Sequence, residues 1–446
     1  MNQTWPNKSQ KWVYNLATVV FLVPIFFQRV FIGGEGDSYD DYWGFSLSFL
    51  GYLIHFVFLA IGVLKYKQIV LNNRVRLFAV FIAALSVLQL LLTASQTGFP
   101  IMELCLPLGR GFVWLFSTLV YVLLFFDRNV FRSIFLKMCR FSTWSLVIFS
   151  FSYFATGMAF GVHIARGYPR VHGFFSEPSA LAGILTAFLL ISIAYKNKFD
   201  MILSIVGIMV SASVIVYSVA AFGALLYFMR VKFKNRTFIF WIYLYAFGMA
   251  GLPLVLNQAN AELISKATNL LNEYVLRYVP ADGFLYRAFL GRIFDGLNLL
   301  GTIISTYSID NLGGSLARLI GPIVTIDELR KFGLQYLGFG LNVYGYMCIH
   351  RFGDIFDFGL FPYMLSSFGI PLGLMGLWII VSRVVGELKN GNLFGLIGLG
   401  VLLATTVNSA GGIHAYTILL IPVFLRFAQA RPSLNDLDRP TPMEVQ

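Results

Sequence analysis

Arg170-Val171-His172-Gly173-Phe174-Phe175-Ser176-Glu177-Pro178-Ser179 sets an arginine, a histidine and a glutamate between two long apolar runs, near 141–162 and 179–195. Charged groups cost free energy near hydrocarbon, so a cluster of them between membrane segments is a site hypothesis by default. The surrounding chain fits that setting. It has 446 residues, 58% hydrophobic and 12% charged, which excludes an ordinary soluble domain with about a quarter of its residues charged. Apolar runs of about 20 residues recur from end to end, each long enough to cross a bilayer as a helix. The expectation is an all-α polytopic membrane protein, one integral membrane domain over residues 1–446. The first run follows Lys8 and Lys11 without a small-residue cleavage site, and reads as a retained signal anchor. Cys105, Cys139 and Cys348 are far apart, with no spacing for a disulfide framework or a metal.

Basic residues sort between alternate loops. Lys65, Lys67, Arg74 and Arg76 fill one; Arg128, Arg132, Lys137 and Arg140 another. Lys196 and Lys198, then Arg230, Lys232, Lys234 and Arg236, then Arg383 and Lys389 mark three more. Together with Lys8, Lys11, Arg426, Arg431 and Arg439 these segments hold 21 of the 33 Lys and Arg, and the positive-inside rule makes them cytoplasmic. Intervening loops are neutral or acidic, as at Glu35, Asp37, Asp40 and Asp41. The net charge of +12 is therefore orientation signal and lipid-facing charge, which argues against nucleic acid as a partner. Helices are expected near 12–32, 44–64, 77–95, 108–126, 141–162, 179–195, 237–257, 360–381, 393–409 and 413–427. Run 201–229 has basic flanks at both ends, so it enters and leaves on one side. It reads as two short or re-entrant helices turning near Ser211–Ser218, a turn that neighbouring helices must cover. That makes about 12 membrane segments with both termini inside. Two outward loops remain, about 163–178 and 258–359. The longer should carry helices. Leu263, Ile264, Ala267, Leu270, Leu271, Tyr274, Val275 and Tyr278 recur at helical spacing, and the aromatic content of the loop suggests that it packs onto the membrane surface.

An outward face has no ATP or nucleotide sugars, so a transferase there needs a donor already carrying its leaving group. A lipid pyrophosphate is such a donor, and arginine's planar fork binds phosphate oxygens at two points. Arg166 and Arg170 lie in the shorter loop; Arg277, Arg287, Arg292 and Arg318 lie in the longer. Arg29 and Arg110 fall at outward helix ends, where positive charge is disfavoured. A lone interfacial arginine more often reaches for lipid headgroups than for substrate. Glu177 has three readings: cap of a helix starting at Pro178, ion-pair partner of Arg170, or general base for a sugar hydroxyl. His172 and His350 are alternative bases or hydrogen-bond donors, whereas His55 and His414 sit in or beside membrane helices and read as structural. No Gly-rich phosphate loop, zinc pattern or hydrolase Gly-x-Ser-x-Gly occurs. The Asp37, Asp40, Asp41 group reads as an orientation-setting loop rather than a cation site. Neither metal nor cofactor is expected.

The Arg170-to-Ser179 stretch resembles the Arg-x-x-Gly-x-Phe-x-Glu-Pro-Ser signature of the Wzy-type O-antigen, capsule and exopolysaccharide polymerases. Ser315-Leu-Ala-Arg318 and Leu337-Gly-Phe-Gly-Leu-Asn342 look like that family's Ser-x-x-x-Arg and Gly-x-Gly-x-Asn elements. Phe361-Pro-Tyr-Met-Leu-Ser-Ser-Phe-Gly-Ile-Pro-Leu-Gly373 resembles the start of its next helix. Tyr217-Ser-Val-Ala-Ala-Phe-Gly223 matches another segment but lacks its arginine. The likeness spans about 165–380. It implies a helical membrane glycosyltransferase of GT-C type, related in architecture to the O-antigen ligases. The implied substrates are undecaprenyl-pyrophosphate-linked repeat units at the outer face of a bacterial inner membrane. The growing chain would pass by inverting, metal-free transfer onto a new lipid-linked unit. Arg170, His172 and Glu177 would then be catalytic, with Arg166, Arg318, Arg292, Arg287, Arg29, Arg110, Asn342 and His350 binding pyrophosphate or glycan. The paired arginine loops of some members, with Gly eleven positions on, are missing here.

Expected partners are the lipid-linked donor and acceptor, membrane lipids and a chain-length-regulating membrane protein. Two alternatives stand beside the polymerase: an O-antigen-type ligase of the same fold, and a flippase or ion-coupled transporter. Transporters commonly show repeats and intramembrane carboxylates, and neither is evident in this sequence.

Overall fold

The computed structural model describes residues 8–32, 43–46, 48–65, 73–158, 160–165, 168–175, 181–232, 237, 239–245, 258–283, 286, 290–291, 294, 314–352, 359–389 and 393–407. Most are helical. In chain order the elements are α1 (Lys8–Phe26), β1 (Arg29–Ile32), β2 (Trp43–Ser46), α2 (Ser48–Leu64), α3 (Asn73–Thr97), α4 (Ile101–Leu124) and α5 (Arg128–Thr156). Then come β3 (Val162–Ala165), β4 (Tyr168–Val171), α6 (Ala182–Ala194), α7 (Lys198–Val210), α8 (Val214–Lys232) and α9 (Gln258–Leu276). The last are α10 (Gly314–Lys331), α11 (Val343–Phe352), α12 (Leu360–Lys389) and α13 (Leu393–Val407). By length and composition four helices can cross a membrane: α4, α5, α12 and, within α3, Val80–Thr97.

Several elements differ from the sequence reading. The fold is not purely helical, because two antiparallel hairpins pair Arg29 with Ser46 and Val162 with Val171 at their outer ends. The first apolar run ends as a helix at Phe26 rather than near 32. Beyond it, Gln28 N–H donates to Phe174 O at 2.8 Å, and the β-branched and aromatic residues that follow form β1. The basic segment Arg128–Arg140 is not a loop but the opening of α5. Asp127 caps that helix, its carboxylate accepting from the backbone N–H groups of Asn129 and Val130 at 2.9 Å, which satisfies donors every helix start leaves open. The run with two basic flanks is indeed two helices, α7 and α8, joined by residues 211–213. The segment expected to face outward, 258–359, carries α9, α10 and α11. The expected helix at 413–427 lies outside the described residues, as does all but 239–245 of the one at 237–257, apart from Thr237.

α6 lies at the centre. Its residues Ala182–Ser192 are all buried, as an all-round apolar helix demands, and α5, α7, α8 and α13 surround it. Glycines set the close approaches. A Cβ on Gly400 of α13 would sit 2.7 Å from Gly183 O and 2.8 Å from Ala187 N. Gly223 of α8 meets the Thr186 methyl, and Gly207 of α7 meets the Thr143 methyl. Small residues at crossings are how helices pack when lipid offers no hydrophobic drive between them. Helical residues 239–245 join this assembly: Tyr243 Oη lies 2.8 Å from Ser382 Oγ, and Tyr245 Oη donates to Leu403 O at 3.1 Å.

Candidate functional site

The segment 170–175 is fixed from three sides. β3–β4 sets Arg170 opposite His163. Backbone N–H groups of His172 and Gly173 both donate to Gly161 O, at 3.0 and 3.1 Å. Gly161 and Gly173 have φ of +62° and +63°, and side chains at either would meet α5, at Phe149 and at Ser145 or Leu146 respectively. Phe174 packs among Phe27, Phe141 and Phe149, and Phe175 meets Phe26 edge-on. Arg170 is held against the middle of α5 by apolar packing on both sides of the turn that follows it.

His172 is buried, and its Nδ1 lies 2.7 Å from Phe175 O. A carbonyl can only accept, so Nδ1 carries the proton in this bond. Phe175 N–H returns a bond to His172 O. These contacts make a turn clasp, and they leave Nε2 as the ring nitrogen able to accept a proton.

Arg170, half-buried, points its Nη2 at Ser213 Oγ, 3.4 Å away. Ser213 is fully buried in the α7–α8 turn. That turn is tightly made: Ala212 takes φ +45°, Tyr217 Oη donates to Met209 O at 2.6 Å, and Tyr217 N–H donates to Ser213 O. The turn's level in the bundle follows from α5. Arg140 binds Asp200 of α7 in a fork, Nε to Oδ1 at 2.7 Å and Nη2 to Oδ2 at 2.8 Å. From Arg140 to the Gly173 contact at Leu146 is six residues of α5, about 9 Å; from there to Thr156 is about 15 Å. Arg170 and the turn thus meet partway along the bundle, not beyond its end as a simple outer loop would.

A second grouping forms around Asn342. Gly338, Gly340 and Asn342 all have positive φ, +78°, +105° and +60°, and the loop they shape is pressed into a break in α12 at Gly369 (φ +77°, ψ 171°). Pro371 lacks an N–H, and the break frees further carbonyls. Phe339 N–H donates to Ser366 O at 2.6 Å, and Ile370 N–H donates to Gln335 O at 2.7 Å. Gln89 of α3 donates its side-chain amide to both Leu337 O and Ser367 O. Asn342 Oδ1 accepts from Tyr363 Oη at 3.2 Å, and the loop rests on α4 at Gly111. The motif that suggested substrate contact is therefore also the clamp on an interrupted helix. Next to it Tyr344 is buried, and burial, then Cys348, pushes its phenol well above the ordinary range, so it is a neutral hydroxyl.

Arg110 is exposed on α4 beside Gly111, and His350 is exposed on α11 with its ring 4.3 Å from Tyr346. Arg29 falls in β1 and Arg318 in α10 by backbone, their side chains outside the described residues. Glu177, Arg166, Arg287 and Arg292, with Ser176 and Ser179, lie outside the described residues altogether. Among the described residues no group of three or more His, Cys, Asp or Glu could hold a metal ion. Sequence reasoning missed Gln89, whose signal was an amide inside an apolar run, and Asp200, whose signal was a lone carboxylate among lysines.

Fold and composition define the class: a helical protein with apolar helices of membrane length. Beyond class, the chain matches no family model, no curated protein and no solved structure.

Proposed function

We propose that the protein is a polysaccharide polymerase that joins undecaprenyl-pyrophosphate-linked repeat units at the outer face of a bacterial inner membrane. On this reading it is a multi-pass membrane glycosyltransferase of GT-C architecture, with about 12 crossings and both termini cytoplasmic. The observation that carries the reading is Arg170, held at the α7–α8 turn inside the bundle. A guanidinium at such a place suits a phosphate, since its fork matches phosphate oxygens and a low dielectric strengthens the attraction. Pyrophosphate departs as the acceptor hydroxyl attacks, and Arg170 stabilises the charge gathering on the leaving oxygen. Arg166, Arg318, Arg292 and Arg287 are the proposed further phosphate contacts. Glu177 is the proposed base, with His172 the alternative, since a proton held on Nδ1 by Phe175 O leaves Nε2 to accept.

The test is genetic and then biochemical. A strain lacking the gene should lose long polymer and accumulate single lipid-linked units. Wild-type protein should restore length, and Arg170→Ala at equal abundance should not. Arg170→Lys keeps the charge without the fork and should retain about a tenth of the activity or less. Long lipid-linked polymer made but left unattached in the deletion strain would instead identify a ligase. Vesicle uptake of a lipid-linked glycan without chain growth would identify a transporter. Normal polymer with Arg170→Ala would remove the basis of the proposal.

A further inference from the structure

α9 is turned opposite to a helix of a soluble domain. The arc facing the protein is Ser265, Thr268, Asn272, Val275 and Val279, with Thr268 only 5% exposed. One outward arc is apolar: Leu263 is 69% exposed, Leu270 68%, Leu271 53%, Tyr274 56% and Tyr278 72%. Between the two runs a polar arc of Asn269, Glu273, Lys266 and Arg277, also exposed. At 3.6 residues per turn each arc covers about a third of the helix. Lys266 and Arg277 lie at the edge of the polar arc that adjoins Leu270 and Leu263.

We propose that α9 lies flat in a phospholipid leaflet, its leucine–tyrosine arc among the upper acyl chains and its polar arc toward water. Three arcs are what such a position requires: one for protein, one for hydrocarbon, one for solvent. Charge placement selects lipid over a second copy of the chain. Lysine and arginine at the border between apolar and polar arcs sit where lipid phosphates are, and long basic side chains reach that level from below. Tyr274 and Tyr278, whose rings meet at 5.3 Å, are aromatics of the kind that gather at the headgroup boundary. Through its protein-facing arc the helix passes its depth on, since Asn272 Oδ1 accepts from Tyr286 Oη at 2.8 Å. The proposal is independent of the reaction assigned to the protein.

Spin labels on the full chain test it. The background is C105S, because Cys139 and Cys348 are buried. Labelled L263C, L270C and Y274C, and separately N269C and E273C, are reconstituted in vesicles of phosphatidylcholine and phosphatidylglycerol. Collisions with oxygen, which concentrates in hydrocarbon, are compared with collisions with a water-soluble nickel chelate. The first three positions should favour oxygen several-fold over the last two. Equal nickel access at all five positions would overturn the proposal. So would line broadening at L270C that disappears on dilution with unlabelled protein, which would mean that another copy covers the arc.

Discussion

Replacing Gly369 by alanine probes the broken helix most directly. The residue has φ +77° and ψ 171°, a region that only glycine occupies without strain of about 1–3 kcal/mol. A Cβ there would lie 2.5 Å from Tyr336 C and O and 2.7 Å from Leu337 N. Those atoms are backbone, fixed by the bonds of Gln89, Phe339 and Ile370, so relief requires moving the clamp loop, about 1–3 kcal/mol more. The sum, about 2–6 kcal/mol, is a large share of a typical total stability of about 5–15 kcal/mol. Two controls separate the contributions. Gly98 also has a left-handed φ, +75°, but open space around it, so Gly98→Ala should show only the conformational loss, about 1–2 kcal/mol. Gly386, inside α12 with open space and ordinary φ, should gain up to about 1 kcal/mol as alanine. Thermal unfolding in detergent with a thiol-reactive fluorophore, in the C105S background, reads all three, because the remaining Cys139 and Cys348 are buried until the fold opens. If Gly369→Ala melts with Gly98→Ala, the backbone-on-backbone contact is wrong.

Gln89→Leu removes the donor to Leu337 O and Ser367 O and should lower stability by about 1–3 kcal/mol per carbonyl; an unchanged melt would mean the amide is dispensable to the clamp. A double-mutant cycle of Arg140→Ala with Asp200→Ala should return about 1–2 kcal/mol of coupling, below a fully buried pair because solvent screens a half-exposed arginine. Its side chain is 42% exposed against 5% for Asp200, and coupling near zero would make the fork incidental. Gly400→Ala should force α13 off α6 and lose about 1–3 kcal/mol, detected in the same melt as a lower transition.

What could be read in the sequence followed from signals local to one segment. The α7–α8 hairpin was visible because both its flanks are basic, and α9 because its apolar residues recur every three or four positions. β1 and β2 were not, because four-residue strands are too short to show alternation and only Gln28 and Arg29 separate the apolar residues of β1 from the apolar run before it. The start of α5 was hidden because charge counting treats Arg128–Arg140 as loop, whereas the deciding residue is Asp127, a cap. The clamp needs Gly338 and Gly369 together, 31 positions apart, and neither glycine signals the other. For the site, the arginine was legible as a charge out of place; its neighbour Ser213 was legible only as part of a turn. Glu177 is where the sequence offers three roles and the described residues add none.

The level at which Arg170 meets the α7–α8 turn follows from helix length. α6 and α7 have 13 residues each, about 20 Å, which is some 10 Å short of a hydrocarbon core. α5, at 29 residues, is about 43 Å long and passes both of them. Where a helix stops short of its neighbour, the chain continuing from it has to satisfy its own backbone groups. The α7–α8 turn does so with Tyr217 and its own carbonyls; the 170–175 turn does so with Gly161 O and the His172–Phe175 clasp. Among the described residues, Arg170 Nη2 and Ser213 Oγ meet between the two turns at 3.4 Å. Lengthening α7 should therefore harm the site before it harms the fold. Two alanines inserted after Val210 would extend the helix by about 3 Å and carry Ser213 out of register with Arg170. Under the proposed function, polymer length should collapse at unchanged protein abundance. Retention of both abundance and polymer length would show that the meeting of the two turns is not what the activity uses.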